Sequence, residues 1–395
     1  MLVKMKDICT KVGSGATPKG GNNAYIKTGI TLIRSQNIHD FYFSHDGLAH
    51  INDEQAAKLN GVRLEEDDVL LNITGDSVAR ACKVDNSVLP ARVNQHVCIV
   101  RGDKRKVLSS YVLYYLQMKK PELLMMASSG ATRNALTKGM IEELELDIPS
   151  LQEQKKIVSL LDDIQCKISN NNRINRNLSE QAQAYFDELF IQNSSAEWKE
   201  GTLSDVGSIV AGGTPFKSNQ EYYTDNGIAW ITPKDLSVDK SVFISHGEND
   251  ITELGLQKSS ATMMPAGTVL FSSRAPIGYI AIAANDICTN QGFKSVVPNG
   301  NVGTSYVYYL LKQLLPTIEN MASGSTFKEI SGSAMKIVPT VIPDDETLKR
   351  FSDFCDPIMK QIWKNEQESK RLVELRDSLL PKLMSGDLDV SDLDI

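Results

Sequence analysis

The chain of 395 residues lacks the cysteine and histidine patterns that mark disulfide frameworks and metal sites. Its six cysteines are scattered, with no C-x-x-C pair, and its five histidines show no H-x-x-x-H spacing. Such cysteines are typical of free thiols in a reducing compartment, and metal sites need clustered ligands. The sequence therefore predicts free thiols and no metal site.

Long apolar runs are also missing. No run approaches the roughly 18 residues that a membrane-spanning helix needs, and the N-terminal MLVKMK lacks the apolar core of a secretory signal. The content of hydrophobic residues is 41% and that of charged residues 23%, as in ordinary globular proteins. We expect a cytoplasmic protein of two or three domains without membrane contact.

The signatures of catalysis are absent too. No G-x-x-x-x-G-K-[ST] phosphate loop occurs, so ATP use is not predicted. The chain has no Pro-Pro pair, which a methyltransferase segment that grips a flipped base would contain. Glu197-Trp198-Lys199 has the spacing of one nuclease fragment, but a domain boundary explains it better, and Asp162-Asp163 fits the solvated face of a helix. We predict no catalytic residue and no cofactor in this chain.

The net charge of −7 weakly opposes nucleic-acid binding. The acid is concentrated at the end, since residues 344–395 carry 8 basic and 13 acidic groups. Residues 1–150 carry 19 and 17, and residues 196–343 carry 10 and 13, so these regions are near neutral. We expect weak DNA binding by the isolated chain, because phosphate neutralisation supplies much of such affinity.

What the sequence does contain is an internal repeat. Seven short stretches recur in the same order at an offset that drifts only between 194 and 200 residues. They are GATP 15–18 and GGTP 212–215, GITLI 29–33 and GIAWI 227–231, VLL 69–71 and VLF 269–271, NQ 94–95 and 290–291, SYVLYYL 110–116 and SYVYYLL 305–311, GAT 130–132 and GST 324–326, and IP 148–149 and 342–343. Conserved order makes chance a poor explanation and indicates a tandem duplication.

The copies differ most in their interiors. Residues 39–65 and 237–264 share little. One scaffold that carries two specificities would produce this pattern, and so would a duplication whose loops simply drifted. Both interpretations stay open from the residues alone.

Each copy predicts a mixed α/β domain. Residues 69–73 and 268–271 are typical of buried strands, and residues 107–118 and 302–315 have helical spacing. Pro121 and Pro316 are predicted to end these two helices. We divide the chain into a first α/β domain at 1–150, a first long helix at 151–195, a second α/β domain at 196–343, and a second long helix with a tail at 344–395.

The two long helices are predicted over Leu151 to about Gln192 and Asp345 to about Met384, with Pro357 bending the second and Pro381 ending it. Their apolar spacing predicts a coiled-coil seam. The seam residues are Ile157, Leu161, Ile164, Ile168 and Leu178 in the first helix, Phe351, Ile358, Ile362, Leu372 and Leu379 in the second, and Asn171 and Asn365 where the seams turn polar.

A polar seam residue can fix register and partner, although a solvated turn explains Asn171 equally well. At 1.5 Å per residue such helices are about 45–60 Å long. If they pack antiparallel, the domains lie at opposite ends and are related by an approximate two-fold. DNA half-sites one turn apart are separated by about 34 Å, so the helices are long enough to act as a ruler.

This pattern resembles the specificity subunit (HsdS) of type I restriction-modification systems across essentially the whole chain. The stretches that carry the resemblance are WKEGTLSDV 198–206, GGTP 212–215, IPSLQEQKKI 148–157 and LLPKLMSG 379–386. The first copy departs at Gly15-Ala16, and the second lacks the glutamine-rich entry to its helix, having PDDET at 343–347. The departures leave the architecture intact but warn against equal function of the two halves.

The resemblance implies a noncatalytic subunit that binds double-stranded DNA. Each α/β domain would be a target recognition domain that reads one half of a bipartite, asymmetric site. The paired helices would set the gap and dock two methyltransferase subunits, which bind S-adenosylmethionine and modify adenine. The presence of restriction subunits stays open.

Polar loop residues at equivalent places in the repeat are the candidate DNA contacts, since base edges and phosphates are bound by such side chains. They are Arg34, Gln36, Asn37, Thr74, Ser77, Arg80, Ser128, Thr132 and Arg133 in the first domain, and Lys234, Ser272, Ser273, Arg274, Ser325, Thr326 and Lys328 in the second. Arg133 and Arg274 lead this set, and a solvated loop residue or a local salt bridge is the alternative for each.

Asn94-Gln95 and Asn290-Gln291 recur intact, so we expect them to support the frame rather than to select bases. Two other functions are weighed against the reading of DNA. A coiled-coil structural adaptor could bridge partner proteins without reading DNA. A stand-alone methyltransferase is disfavoured by the missing motifs.

Overall fold

The computed structural model describes residues 2–128, 134–324 and 328–390. Its backbone contacts divide the chain into two units. Unit 1 comprises the described residues of 1–168 and 371–395, and unit 2 comprises those of 169–370. Each of the two long helices therefore contributes one part to each unit.

Unit 1 contains a mixed α/β domain. Its strands are β1 (Leu2–Lys4), β2 (Cys9–Ser14), β3 (Ile30–Ile33), β4 (Ile38–His39), β5 (Tyr42–Phe43), β6 (Ala49–Ile51), β7 (Val69–Asn72), β8 (Ala81–Lys83), β9 (Ala91–Val93), β10 (Val97–Gly102) and β11 (Glu145–Asp147). Its helices are α1 (Met5–Ile8), α2 (Asp53–Lys58), α3 (Ser109–Met118), α4 (Lys120–Ser128), α5 (Lys138–Glu142) and the start of α6 (Leu151–Asp187). An antiparallel sheet has the order β2-β10-β7-β8, and a smaller sheet has the order β6-β3-β9.

Unit 2 repeats this domain. Its strands are β12 (Lys199–Thr202), β13 (Gly207–Ala211), β14 (Tyr223–Thr224), β15 (Ile228–Ile231), β16 (Phe243–Ile244), β17 (Asn249–Ile251), β18 (Val269–Ser273), β19 (Ile277–Ala283), β20 (Cys288–Thr289), β21 (Lys294–Pro298) and β22 (Pro339–Ile342). Its helices are α7 (Leu203–Val206), α8 (Pro233–Val238), α9 (Glu253–Gln257), α10 (Thr304–Met321), α11 (Gly332–Lys336) and the start of α12 (Asp345–Ser385).

The sheets of unit 2 match those of unit 1 strand for strand and extend them. The larger has the order β13-β21-β18-β19-β16, and the smaller β14-β17-β15-β20. In both smaller sheets one pair is parallel, β3 with β9 and β15 with β20. The prediction of a duplicated mixed α/β domain is confirmed.

The first three residues of the central strands β7 and β18 are apolar because both faces of these strands are covered. Val69 and Leu71 of β7 pack into one core, and Leu70 packs into another. Strand β18 behaves in the same way, with Val269 and Phe271 on one side and Leu270 on the other. The repeated three-residue motif therefore marks the strand that separates two cores in each domain.

The repeated SYV-x-Y-[YL]-L segment lies in helices α3 and α10, where its residues are buried. Tyr111 and Tyr115 donate hydrogen bonds from their hydroxyls to the carbonyl oxygens of Asp147 and Glu145, at 3.1 and 2.7 Å. These acceptors belong to β11, so the phenols tie the helix to the last strand of the domain. A buried tyrosine needs such a hydrogen-bond partner, and the main chain supplies it.

One expectation about proline was wrong, since Pro316 lies inside α10, which continues to Met321. Helix α12 contains both Pro357 and Pro381 and ends at Ser385, one residue beyond its predicted end at about Met384. A proline removes one helical hydrogen bond, but packing can override this cost. Around Pro316 it does so, since Leu311 and Ile318 on either side are fully buried in the core of unit 2.

The apolar seam of the long helices is largely buried. Among the predicted seam residues, those buried or half-buried against the core of unit 1 are Ile157, Leu161 and Leu379, and those against the core of unit 2 are Leu178, Phe351, Ile358 and Ile362. Ile164 and Ile168 are 8% and 6% exposed, and Leu372 is half-buried. Helix α6 ends in a π-helical turn at Glu188–Gln192.

Within unit 2 the two helix segments run antiparallel. The Nδ2 atom of Asn171 lies 2.8 Å from the carboxylate of Glu368, and the ring of Tyr185 lies 4.4 Å from that of Phe354. Residue numbers thus rise along one segment as they fall along the other. Among the described residues no helix has the length and apolar character that crossing a bilayer requires.

Candidate nucleic-acid interface

The repeated glycine turn is a site of close backbone approach in both domains. A Cβ atom at Gly15 would lie 1.7 Å from the carbonyl oxygen of Val93, and one at Gly212 would lie 2.0 Å from that of Asn290. No side chain fits at such distances, so these glycines are required by contact rather than by a special dihedral angle. Each glycine turn therefore lies directly against the repeated Asn-Gln segment of its domain.

The side chains of the same motifs also meet. The hydroxyl of Thr17 donates to the side-chain oxygen of Gln95, and that of Thr214 donates to the side-chain oxygen of Gln291. The two motifs thus form one joint, made with the same atoms in unit 1 and unit 2. This arrangement supports the expectation that the Asn-Gln pairs serve the frame.

In unit 1 the candidate loops are held together by their own polar groups. The Nδ2 atom of Asn72 donates to the main-chain oxygen of Ser35 at 2.9 Å and to the hydroxyl of Ser77 at 3.1 Å. The hydroxyl of Thr74 lies 2.6 Å from the Nδ1 atom of His96. The loops that follow β3, β7 and β9 therefore form one connected polar surface.

The first of these loops contains one residue that sequence reasoning misassigned. Asn37 is fully buried, and its side chain accepts from the N–H of Arg34 and donates to the carbonyl oxygens of Ser44 and Asp46. Both the oxygen and the nitrogen of its side-chain amide are hydrogen-bonded inside the domain, so Asn37 shapes the loop and is not a base contact. Arg34 is half-buried and donates to the carbonyl oxygen of Gly47 at 2.6 Å, beside the exposed Gln36.

Arg80 has fewer side-chain partners than Arg34, the other described cation of the predicted set in unit 1. It is half-buried, and its guanidinium has no hydrogen bond or ion pair with the residues that the structure describes. Ser128 is exposed at the end of α4, where its hydroxyl donates to the carbonyl oxygen of Met125. The predicted contacts Thr132 and Arg133 lie outside the described residues.

In unit 2 two predicted contacts are also frame residues. Ser272 and Ser273 are fully buried. The hydroxyl of Ser272 donates to the carbonyl oxygen of Pro276 at 2.8 Å, and that of Ser273 donates to the carbonyl oxygen of Gly292 at 3.0 Å. Because both hydroxyls are engaged and out of solvent, neither can serve as a base contact.

Two of the predicted cations of unit 2 have carboxylate partners, which Arg34 and Arg80 of unit 1 lack among the described residues. Lys234 is exposed and pairs with Glu248 at 2.5 Å. Arg274 is 38% exposed and pairs with Glu329 at 3.4 Å. Lys328 is exposed. The predicted contacts Ser325 and Thr326 lie outside the described residues.

Sequence reasoning missed a cleft beside the glycine turn of unit 2. Its volume is about 540 Å³, and Lys217, Tyr223, Trp230 and Gln291 are among its lining residues. The indole of Trp230 donates to the carbonyl oxygen of Gly213 at 3.0 Å, which fixes one wall. Adjacency to the repeated glycine motif was the available signal for this cleft.

The predicted polar seam residues are engaged within unit 2. Asn171 is 1% exposed and Asn365 is 6% exposed. The Nδ2 atom of Asn365 donates to the side-chain oxygen of Asn175 at 2.7 Å. The equal alternative for Asn171, a solvated turn, is therefore wrong in this structure.

Helix α12 also holds the divergent interior of the second domain. The carboxylate of Glu366 accepts hydrogen bonds from the N–H groups of Val242 and Phe243, at 2.7 and 3.2 Å. Burial raises the pKa of Glu366 to about 7, although the two N–H donors act in the opposite direction. In unit 1, Arg376 of the same helix lies 4.2 Å over the ring of Phe41.

The described residues contain no group of three or more His, Cys, Asp or Glu side chains that could hold a metal ion. The side chains that the loops bring together are hydrogen-bond donors, acceptors and cations. Such groups can bind phosphates and base edges.

A family model described as the type I restriction modification DNA specificity domain matches the chain twice, over residues 1–180 and 195–374. A relative named type I restriction enzyme MjaIX specificity subunit, from Methanocaldococcus jannaschii, is 38% identical over 196 residues. That alignment covers 48% of this chain and 45% of the relative, so it spans less than half of each.

A second relative is named type I restriction enzyme HindI specificity subunit and comes from Haemophilus influenzae. It is 23% identical in an alignment that covers 93% of this chain and 95% of the relative. Among solved structures, the S subunit of a type I restriction-modification system from M. genitalium has a TM-score of 0.60 at 14% identity. The superposition covers 97% of this chain and 96% of the S subunit, which shows a shared fold.

Proposed function

Because the chain belongs to the family of type I restriction modification DNA specificity domains, we propose that it is the noncatalytic subunit that selects the DNA sequence for a type I restriction-modification complex. Each α/β domain reads one half of a bipartite, asymmetric site in double-stranded DNA. The two long helices set the gap between the halves and dock two methyltransferase subunits, which carry the S-adenosylmethionine.

The observation that carries this proposal is the contrast between frame and loops. Gly15 lies against the backbone carbonyls of Val93 and Asn94, and Gly212 lies against those of Thr289 and Asn290, the equivalent residues of the second copy. The side chains that the frame presents differ, with Thr74 against His96 in one domain and Arg274 against Glu329 in the other. A scaffold repeated with different donors and acceptors is what two independent readers of base edges need.

The competing function is an adaptor that joins partner proteins without reading DNA. The long helices fit either function. The half-buried Arg80 and Arg274 and the exposed Lys328, all outside the named helices and strands, favour the reading of DNA. The negative net charge predicts that affinity depends on the partner subunits.

Mapping methylated adenines across a genome tests the proposal. The methyltransferase subunits are expressed with this chain, without it, or with a relative of different specificity. We expect a single bipartite motif that appears only with this chain and changes when the relative replaces it. An identical methylome in all three strains would favour the adaptor.

A further inference from the structure

A chain of three charges lies beneath the reading surface of the second domain. The ammonium of Lys294 lies 3.8 Å from one carboxylate oxygen of Glu329, and the guanidinium of Arg274 lies 3.4 Å from the other. Lys294 is only 9% exposed, and its Nζ atom also lies 3.5 Å from the hydroxyl of Ser273. Burial lowers the pKa of Lys294, while Glu329 acts to raise it.

The position of Glu329 is fixed by its backbone. Its N–H donates to the carbonyl oxygen of Ser323 at 2.9 Å, and the next residue, Ile330, donates to that of Ser273 at 3.1 Å. Glu329 also forms isolated β-bridges with both Ser323 and Arg274. The carboxylate is therefore presented by a frame element rather than by a free loop.

Among the described residues of the first domain, the corresponding bridge has no such chain of charges. There Thr74 pairs with Ala135, which carries no polar side chain, and the hydroxyl of Thr74 bonds His96. The three charges are thus not a requirement of the shared frame. We therefore look for their role in a function that is particular to the second domain.

We propose that Glu329 is a specificity-determining positioning residue, which withholds Arg274 from DNA phosphates and releases it to a base edge with two acceptors, such as that of guanine. Lys294 keeps the carboxylate paired when Arg274 leaves. This inference rests on the proposed function, since it assumes that Arg274 faces DNA.

The geometry suits such an exchange. The contact of 3.4 Å is longer than the roughly 2.7–2.9 Å of a tight charge-assisted hydrogen bond, and both partners are 38% exposed. Exposed ion pairs contribute little, so a bidentate base contact can displace the carboxylate. A phosphate carries a negative charge that Glu329 repels, whereas a base edge is neutral, so wrong sequences gain less from Arg274.

The test uses the complex reconstituted with its methyltransferase subunits and duplexes altered in one half-site at a time. Glu329→Gln removes the charge and keeps the shape. We expect affinity for duplexes altered in the second half-site to rise about tenfold, with cognate affinity changed less than about threefold. The salt dependence for altered duplexes should steepen by about one phosphate contact.

Discrimination at the first half-site serves as the internal control. Glu143→Gln, which removes the exposed pairs of Glu143 with Lys4 and Lys6 at 2.6 and 2.5 Å in unit 1, is the matched variant and should change neither measurement. A Glu329→Gln variant that folds and keeps the discrimination of the parent protein would overturn the inference.

The Arg274→Ala variant, alone and combined with Glu329→Gln, distinguishes a failure of this inference from a failure of the proposed function. If Arg274→Ala leaves discrimination at the second half-site intact, the role of Arg274 as a reader fails. If Arg274→Ala acts, and Glu329→Gln has the same effect with and without Arg274, only the role of Glu329 fails. We expect the effect of Glu329→Gln to disappear in the double variant.

Lys294→Met gives a second route should Glu329→Gln fail to fold. Methionine approximates the length of the lysine stem without its charge, so Arg274 becomes the main partner of the carboxylate. We expect cognate affinity to fall about tenfold, because Arg274 is then held more tightly. Unchanged cognate affinity in a folded Lys294→Met protein would contradict the proposal.

Discussion

In unit 1 the strand that separates the two cores leads to Thr74, and in unit 2 the equivalent strand leads to Arg274. Both residues form the same isolated bridge to a later segment, yet one presents a hydroxyl beside an imidazole and the other a guanidinium beside a carboxylate. The glycine joints beneath them are alike. The frame therefore repeats its backbone contacts, while the side chains that it presents differ.

The glycine joints give the largest expected effect. Gly15→Ala or Gly212→Ala would place a Cβ atom 1.7 or 2.0 Å from a carbonyl oxygen. We expect each variant to lose at least about 3 kcal/mol of unfolding free energy, confined to its own unit. Hydrogen exchange resolved by segment measures this.

Matched controls for the joints are Gly13→Ala and Gly300→Ala, because a Cβ atom at either position meets nothing within 4 Å. The comparison would break if Gly15→Ala destabilised its unit and Gly212→Ala did not. The two joints would then share a geometry without sharing an importance.

The loop cations give the next effect. Arg80→Ala should weaken discrimination at one half-site, and Arg274→Ala at the other, by about 10- to 100-fold each, since a base contact contributes about 1–3 kcal/mol. Methylation of duplexes altered in either half-site measures both. Loss at both half-sites from one substitution would sink the model of independent readers.

The buried carboxylate of Glu366 should make the stability of unit 2 depend on pH. In the folded state the pKa of Glu366 is about 7, above the usual 4.5. Burial raises this pKa, and so does Asp239, whereas the N–H groups of Val242 and Phe243 lower it. Between these pH values the folded state holds a proton that the unfolded state lacks. Stability is therefore fully present below about pH 4.5 and falls as pH rises through 7.

We expect unit 2 to lose on the order of 1–2 kcal/mol between pH 5 and pH 8 through this group. Glu366→Gln should flatten that slope, and Glu374→Gln, an exposed site on the same helix, should leave it. Urea unfolding at several pH values gives the slopes. An equal slope in Glu366→Gln and the parent protein would remove Glu366 as its source.

The repeat in the sequence predicted the duplicated α/β architecture because strands and helices leave periodic apolar patterns. It could not predict which polar residues face inward. Asn37, Ser272 and Ser273 are of types that read DNA, but each is buried against backbone carbonyls. Residue type and loop position do not determine orientation.

Contacts between distant parts of the chain were equally hidden. Glu366 reaches a strand 123 and 124 residues earlier, and no local pattern marks it. Likewise Lys294 and Glu329 look like two ordinary surface charges in the sequence. Pro316 misled for the opposite reason, since a strong local rule was overridden by tertiary packing.

The polar layer of the long helices gives the smallest expected effect. Asn365 donates to Asn175 and accepts from Gln361, each at 2.7 Å, and Asn365→Ala removes both hydrogen bonds. Asn175 and Gln361 can reach water, so we expect a loss of about 1 kcal/mol in unit 2 by urea unfolding. Asn172→Ala, at an exposed helical position, is the control and should change stability by less than about 0.5 kcal/mol. Equal effects of the two substitutions would mean that the buried polar layer contributes no measurable stability to unit 2.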